Sequence, residues 1–218
     1  MFNVEKYYDQ NAREEWDRLE RHKIEFHVTM RALLEFLPEA PAKLIDIGGG
    51  PGRYAITLAQ RGYRVTLADL SDGSLELAKQ KAAEAGVSLD SFLHANALDL
   101  SLFPEADFDS VLLLGPLYHL HKLEDRRTAL RQARRLLKPG GLVFASLITR
   151  FAGFRDAAVH GYSFVVDDPA YSEKLLATGI HDNGIGFTDA YFARPDEVIP
   201  LGESAGFTTV RLMGCEGI

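Results

Sequence analysis

Apolar side chains recur at steps of three and four along the first part of this chain, which is typical of an amphipathic helix. The pattern predicts one long helix over residues 11–37, or two helices with a kink, packed on the core. Pro38 and Pro41 end the pattern. Tyr7 and Tyr8 precede it, and we expect this pair to reach over a ligand. The apolar positions are Trp16, Leu19, Phe26, Met30, Leu33 and Leu37.

Short apolar runs alternate with helical patterns after residue 42. The predicted strands are 43–47, 64–68, 89–94, 108–114 and 142–148. The predicted helices between them are about 53–61, 72–85 and 124–137. The fourth strand is apolar almost throughout, as expected for a strand that is buried on both faces. Alternation of this kind predicts an α/β fold with a Rossmann-like, doubly wound and mostly parallel sheet.

The alternation stops between residues 149 and 193. We expect this stretch to form an α-rich lid, inserted after strand five over the carboxyl edge of the sheet, with His160 and His181 on the surface. Its aromatic residues are candidates for lining an apolar pocket. They are Tyr162, Phe164, Tyr171, Phe187, Tyr191 and Phe192. A helix at about 195–204 and a strand at 207–213 are predicted to return to the core, with Cys215 just beyond that strand.

The chain therefore divides into four predicted parts. They are an N-terminal helical cap (1–42), a cofactor-binding core (43–148), the inserted lid or substrate region (149–193) and a C-terminal part of the core (194–218).

Composition narrows the classes of partner. The 218 residues carry a formal net charge of -7, which argues against nucleic acid as a partner, since such binding needs clustered Lys and Arg. No apolar run approaches the roughly 18 residues of a membrane span. The start of the chain lacks the apolar core of a signal peptide. One cysteine, Cys215, allows neither an intrachain disulfide nor a cysteine-based metal site. We therefore expect a cytoplasmic protein with no bound metal.

The most specific motif follows the first predicted strand. Asp46 ends the apolar run, and four of the next six residues, Gly48, Gly49, Gly50 and Gly52, are glycines. Asp69 ends the second strand, 21 positions after Gly48. Such a turn lets the backbone approach a nucleoside cofactor, while the distal acid takes the two ribose hydroxyls.

Two cofactor classes compete for this motif. The dinucleotide fingerprint needs glycine at the sixth position of the turn, which here is Arg53. Asp46 would also face an anionic pyrophosphate, whereas a ligand that carries an ammonium group suits its carboxylate better. The residues therefore favour a nucleoside with a cationic group over a nicotinamide dinucleotide.

The segment Asp-Ile-Gly-Gly-Gly-Pro-Gly resembles the first motif of class I S-adenosylmethionine-dependent methyltransferases. Residues 65–71, 96–100, 108–111 and 136–141 resemble the later motifs of that family in the same order. The resemblance covers about residues 43–148. It implies S-adenosylmethionine as cofactor and S-adenosylhomocysteine as product. It also implies that Asp69 binds the ribose and that Asn96 stands where an Asp usually accepts from the adenine amino group. An Asn side-chain oxygen can accept as well.

The cofactor-binding residues expected from the motif and this resemblance form one set. They are Tyr8, Asp46, Gly48, Gly49, Gly50, Gly52, Asp69, Leu70, Asn96, Ala97 and Leu114.

The segment after strand four faces the transferred methyl group in the family that this chain resembles. Here it runs from Gly115 to His121 and matches only two positions of the pattern found in enzymes that act on amide or adenine nitrogens. Tyr118 and His119 are the candidate catalytic residues. His119 can serve as a base, or it can instead bond a loop carbonyl or contact the cofactor.

The predicted function is methyl transfer from S-adenosylmethionine to a small organic acceptor, by in-line displacement. The alternatives are a non-catalytic protein that binds this cofactor and a nicotinamide-dependent oxidoreductase. The acceptor atom and the oligomeric state remain open at this point.

Overall fold

The computed structural model describes residues 4–160, 167–181 and 188–215. Five parallel strands form its main sheet, in the order β3-β2-β1-β4-β5. They are β1 (Lys43–Ile47), β2 (Arg64–Asp69), β3 (Ser91–His94), β4 (Phe108–Leu113) and β5 (Leu137–Ala145). The chain builds the sheet outward from β1 in one direction and then crosses back to β4. Ligands of open α/β sheets bind at this reversal, outside the carboxyl ends of the strands.

Helices cover both faces of the sheet. They are α1 (Val4–Arg21), α2 (Lys23–Phe36), α3 (Arg53–Gln60), α4 (Asp72–Glu84), α5 (Leu123–Leu136), α6 (Ala152–His160), α7 (Pro169–Thr178) and α8 (Pro195–Ser204). Successive side chains of β1 point to opposite faces of the sheet, because side chains alternate along a strand. Leu44 packs with α2, α3 and α4, whereas Ile45 and Ile47 pack with α5 and α8. The predicted doubly wound α/β fold is confirmed.

The N-terminal segment forms two helices rather than one, and the first begins at Val4, earlier than the sequence pattern indicates. The backbone of α1 kinks at Asn11, where φ is -123°. Asp9 fastens this helix to the start of α4, because its carboxylate accepts from Ser71 Oγ at 2.8 Å and from the Gly73 backbone N–H at 3.0 Å. The helical cap therefore contacts the loop that follows β2 directly.

Two expectations for the end of the core were wrong. Residues 207–214 form no strand, so β5 is the edge of the described sheet and Cys215 follows an irregular segment. The second difference concerns β5, which begins at Leu137 and not at Leu142. Residues 138–141 form a bulge within this strand, where the pairing with β4 shifts register.

The insertion contains helices α6 and α7 and a two-stranded antiparallel ribbon, β6 (Ile180–His181) and β7 (Ala190–Tyr191). His181 is buried, with 1% of its surface exposed, so the expected surface position was wrong. Its Nδ1 bonds the Tyr171 hydroxyl, and its ring stacks on Phe192 with centroids 5.6 Å apart. A hydrophobic cluster of the insertion itself holds these groups in place.

Several predicted features fall outside what the structure describes. These are Tyr162, Phe164, Phe187 and the side chain of His160. Within the described ranges, no helix combines the length and the apolar character needed to cross a membrane.

Candidate functional site

The turn after β1 is shaped by close contacts that exclude side chains. Gly48 has φ +66°, and a Cβ on it would lie 2.5 Å from a ring carbon of Pro116. A Cβ on Gly49 would lie 2.4 Å from Leu67 Cδ1 and 2.6 Å from the Asp46 carboxyl carbon. At Gly50, by contrast, no described atom lies within 4 Å of the Cβ position. The turn is thus clamped at its base and leaves open space beside Gly50, where a ligand can approach the backbone.

Asp69, at the end of β2, lies against this turn. Its Oδ2 accepts from the Gly50 N–H at 2.7 Å, and its Oδ1 accepts from the Ser71 N–H at 2.9 Å. Burial raises the pKa of the Asp69 carboxyl, and these backbone hydrogen bonds oppose that rise. Each carboxylate oxygen can accept a further hydrogen bond. The carboxylate is therefore held in place by the turn and can receive two hydroxyl groups.

Asp46 is more deeply buried than Asp69, with 1% of its surface exposed. It accepts from the backbone N–H of Ala55 in the first turn of α3. Its Oδ2 is buried and has no hydrogen-bond partner among the described residues. Burial, and then the charge of Asp69, raise the pKa of the Asp46 carboxyl to about 7. A buried carboxylate oxygen with no partner fits a cofactor that brings a cationic group to the turn.

The loop after β3 supplies another wall of the site. Asn96 is exposed, and its Oδ1 accepts from the Leu98 N–H at 2.9 Å. The side chain thus stabilises its own turn, and its oxygen retains one acceptor position. Ala97 and Leu98 lie beside it on the same wall, and Leu70 and Leu114 contribute apolar surface.

Helices α1 and α2 close the site with charged side chains that the sequence pattern did not indicate, namely Glu15, Arg18 and Glu25. Arg18 donates to Glu15 through Nε at 2.8 Å and Nη2 at 2.6 Å. Burial alone would lower the pKa of the Arg18 guanidinium, but its bonds to Glu15 raise the pKa above the ordinary value. Arg53 lies 4.0 Å from the ring centroid of Phe26. The one available clue was that Arg18 shares a helix with Tyr8, ten residues further on.

His119 lies in a 3₁₀ turn (Pro116–His119) after β4, and three segments meet at its ring. Its Nε2 is 3.1 Å from the Tyr8 hydroxyl. Its Nδ1 is 3.3 Å from the Asp189 carbonyl oxygen and 3.2 Å from Thr188 Oγ1. Burial lowers the pKa of His119 to about 4, so its imidazole is neutral at pH 7. Burial also raises the pKa of the neighbouring Tyr118 hydroxyl.

Arg126 of α5 supports this turn from behind. Its guanidinium donates to the Leu120 carbonyl at 2.5 Å and to the His121 carbonyl at 2.9 Å, and it lies 3.6 Å from the Tyr191 ring centroid. One buried cation therefore joins the 3₁₀ turn, α5 and the insertion.

One cavity of about 290 Å³ joins these walls, close to the lower end of the roughly 300–1,000 Å³ usual for ligand pockets. Every predicted cofactor-binding or catalytic residue except Gly52 lines it, whereas three candidate pocket aromatics of the insertion, Tyr171, Tyr191 and Phe192, do not. Gly52 instead has φ +84° as the residue before α3, and a Cβ there would meet Ala78 and Leu67 at 3.3 Å. It shapes the turn from the core side and does not line the cavity. Tyr7 is not among the lining residues and packs edge-on against Tyr8, with centroids 5.3 Å apart.

The chain is similar to known methyltransferases. A family model described as a methyltransferase domain matches residues 45–145. The ubiquinone biosynthesis O-methyltransferase of Thiobacillus denitrificans is 33% identical over 177 residues, which are 81% of this chain and 69% of that protein. The protein of the same name from Saccharophagus degradans is 31% identical over 80% of this chain and 67% of its own length.

Solved structures with the same fold are more distant in sequence. A SAM-dependent methyltransferase from Methanosarcina mazei superposes with a TM-score of 0.61 at 22% identity, over 80% of this chain and 82% of its own. A Pyrococcus horikoshii protein superposes with a TM-score of 0.65 at 19% identity, over 92% and 89%.

Proposed function

Given that this chain belongs to the class I S-adenosylmethionine-dependent methyltransferases, we propose that it methylates a hydroxyl oxygen of a small organic molecule. Use of this cofactor and transfer to a small acceptor follow from the family. What the proposal adds is the acceptor atom, oxygen, and this choice is supported by O-methyltransferase relatives at 31–33% identity. An acceptor related to the ring of a ubiquinone precursor, a phenol or catechol, is the first class to test.

The residues present fit the cofactor. We propose that the ribose hydroxyls bond Asp69 and that the nucleoside lies along the open space beside Gly50. The amino-acid end is a zwitterion, and the wall around the turn offers both signs of charge, from Asp46 and from the Arg18–Glu15 pair. Ala97 and Leu98, beside Asn96, are proposed to border the adenine.

The acceptor is proposed to enter on the other side of the same cavity, beside Tyr8, Tyr118 and His119. The observation that carries the proposal is this continuity, because one cavity is lined both by the glycine turn with Asp69 and by these polar aromatic groups. When bound, the cofactor supplies a methyl group on a positively charged sulfur. The chain's own residues hold the acceptor in line with that methyl group and exclude water.

Calorimetric titration and product analysis test the proposal. We expect S-adenosylhomocysteine to bind more tightly than NAD. We also expect the protein to transfer methyl groups to phenols and catechols faster than to amines, thiols or carboxylates of similar size. Methylation of amines or thiols with no O-methylated product would overturn the choice of acceptor atom.

The insertion is proposed to act as a lid, with α1 closing from the opposite side. Residues 149–193 should gain protection from hydrogen exchange when S-adenosylhomocysteine and an acceptor are both present, because a closed lid excludes water. Equal protection with and without the two ligands would contradict this role. A cytoplasmic location and the absence of a nucleic-acid partner likewise remain proposals, supported by the single cysteine and the net charge of -7.

A further inference from the structure

The contacts of His119 favour one tautomer of its neutral ring. Two oxygens face Nδ1: the Asp189 carbonyl at 3.3 Å, which can only accept, and Thr188 Oγ1 at 3.2 Å, which can accept or donate. The carbonyl favours Nδ1 as the protonated nitrogen. The Nε2 atom is then an acceptor. The Tyr8 hydroxyl at 3.1 Å is its donor.

This arrangement changes which group can meet the acceptor. The basic nitrogen of His119 is occupied by the Tyr8 hydroxyl, which comes from a helix 111 residues earlier in the chain. The two rings meet edge to face, with centroids 5.5 Å apart, and both side chains line the cavity. A proton that leaves the acceptor therefore reaches His119 by way of the Tyr8 oxygen.

We infer that Tyr8 and His119 form a proton relay, in which Tyr8 takes the proton of the acceptor hydroxyl and passes its own proton to His119 Nε2. The inference rests on the proposed O-methylation. Tyr8 is the catalytic residue in this scheme, since it contacts the acceptor. His119 is a positioning residue that orients the Tyr8 hydroxyl and stores the proton.

The atoms and charges of this step balance. The acceptor oxygen bonds the methyl carbon as the carbon–sulfur bond breaks, and sulfur keeps the electron pair as a neutral thioether. The acceptor's proton moves to Tyr8 Oη while Tyr8's proton moves to His119 Nε2, so the Tyr8 hydroxyl is regenerated. One positive charge disappears at sulfur and one appears on the imidazole ring. No oxidant or reductant takes part.

Burial explains why the two groups act together. It raises the pKa of the Tyr8 hydroxyl well above the ordinary value, so a free phenolate at this position is strongly disfavoured. Concerted transfer to His119 avoids that phenolate. Burial also keeps His119 unprotonated at rest, so its Nε2 remains able to receive the proton. The acceptor becomes strongly acidic as its bond to the methyl group forms, and this acidity drives the transfer toward a weak base.

The hydrogen-bond arrangement can be measured without any turnover. In protein labelled with ¹⁵N-histidine, His119 should show a protonated Nδ1 and an unprotonated, hydrogen-bonded Nε2. Tyr8→Phe should shift the Nε2 resonance toward that of a free imidazole nitrogen and leave Nδ1 nearly unchanged. A protonated Nε2 in the wild-type protein would overturn the relay, whichever acceptors are methylated.

Kinetics then separate a relay from two independent contributions. With a phenol that is neutral at the assay pH, Tyr8→Phe and His119→Gln should each lower kcat by at least ~10²-fold, and the double variant should lose no more than either single variant. With a nitrophenol that is already ionised, each loss should shrink to less than about tenfold. Tyr63→Phe is the matched control, because its hydroxyl bonds the Pro38 carbonyl far from the cavity.

Affinity for S-adenosylhomocysteine should stay near the wild-type value in His119→Gln and Tyr63→Phe. A large loss in His119→Gln with full activity in Tyr8→Phe would overturn the relay and make His119 the direct base. Equal losses on neutral and ionised phenols would also overturn it. If the wild-type protein methylates neither phenol, the proposed acceptor class fails, while the imidazole spectra still decide the relay.

Discussion

Replacing Asp46 by Asn should change how the stability of this protein depends on pH. Asp46 is buried beneath the glycine turn, and its Oδ2 has no hydrogen-bond partner among the described residues. Asn has nearly the same shape and can still accept from the Ala55 N–H. The substitution therefore removes a buried charge without enlarging or filling the site.

The sign and size of the effect follow from the pKa. The folded-state pKa of Asp46 is raised to about 7, by burial first and by the charge of Asp69 second, from an ordinary value of 3.8. Between these two values the folded protein holds a proton that the unfolded chain has released. The free energy of unfolding therefore falls as pH rises through this window and levels off above pH 7. At about 1.4 kcal/mol per unit, the fall from pH 5 to pH 8, most of it below pH 7, is about 3 kcal/mol.

The pH dependence of the wild-type protein and of Asp46→Asn can be compared by urea unfolding without cofactor at pH values from 5 to 8. Circular dichroism follows the unfolding. Relative to the wild-type protein, the free energy of unfolding of Asp46→Asn should rise by about 3 kcal/mol between pH 5 and pH 8. Asp69 is present in both proteins, and loss of its charged neighbour should flatten the variant's pH dependence further. Asp17→Asn, at an exposed position on α1, is the matched control and should follow the wild-type curve.

Parallel curves for the wild-type protein and Asp46→Asn would refute the reasoning. They would mean that water or a rearranged turn solvates the Asp46 carboxylate, so that burial does not raise its pKa.

Three further substitutions, with Gly202→Ala as the control for one of them, test separate parts of the site. Asp69→Ala should weaken S-adenosylhomocysteine binding at least about tenfold in calorimetry, since two hydrogen bonds to a charged acceptor are lost, and unchanged affinity in a folded variant would refute its role. Gly49→Ala places a Cβ 2.4 Å from Leu67 Cδ1 and should lower stability in urea unfolding by about 1–3 kcal/mol. Gly202→Ala, where the added Cβ meets no described atom within 4 Å, should raise stability by about 0.5–1 kcal/mol, and similar changes in both variants would contradict the packing argument. Arg126→Met removes the donors that hold the 3₁₀ turn, so kcat should fall while S-adenosylhomocysteine affinity is retained, and unchanged kcat would contradict this support.

Much of the core could be predicted from the sequence because its patterns are local. The helix at 195–204 and the strand at 43–47 have the predicted bounds. The expectation of a glycine turn facing Asp69 likewise rests on short-range rules, since few residues other than glycine tolerate a positive φ and parallel strands end at one edge. The predicted strand at 207–213 failed because an apolar run becomes a strand only when a neighbouring strand pairs with it.

The proposed cofactor half of the site was thus determined by the sequence itself, through the spacing of Asp46, the glycines and Asp69. The proposed acceptor half was decided by tertiary structure. His119 was a candidate from its place after strand four, but its tautomer depends on Tyr8 and Asp189, which lie 111 and 70 residues away. Contacts over such distances in sequence leave no periodicity and no fixed spacing. They exist because α1 and the insertion fold back over the sheet edge from opposite ends of the chain and enclose the same ring.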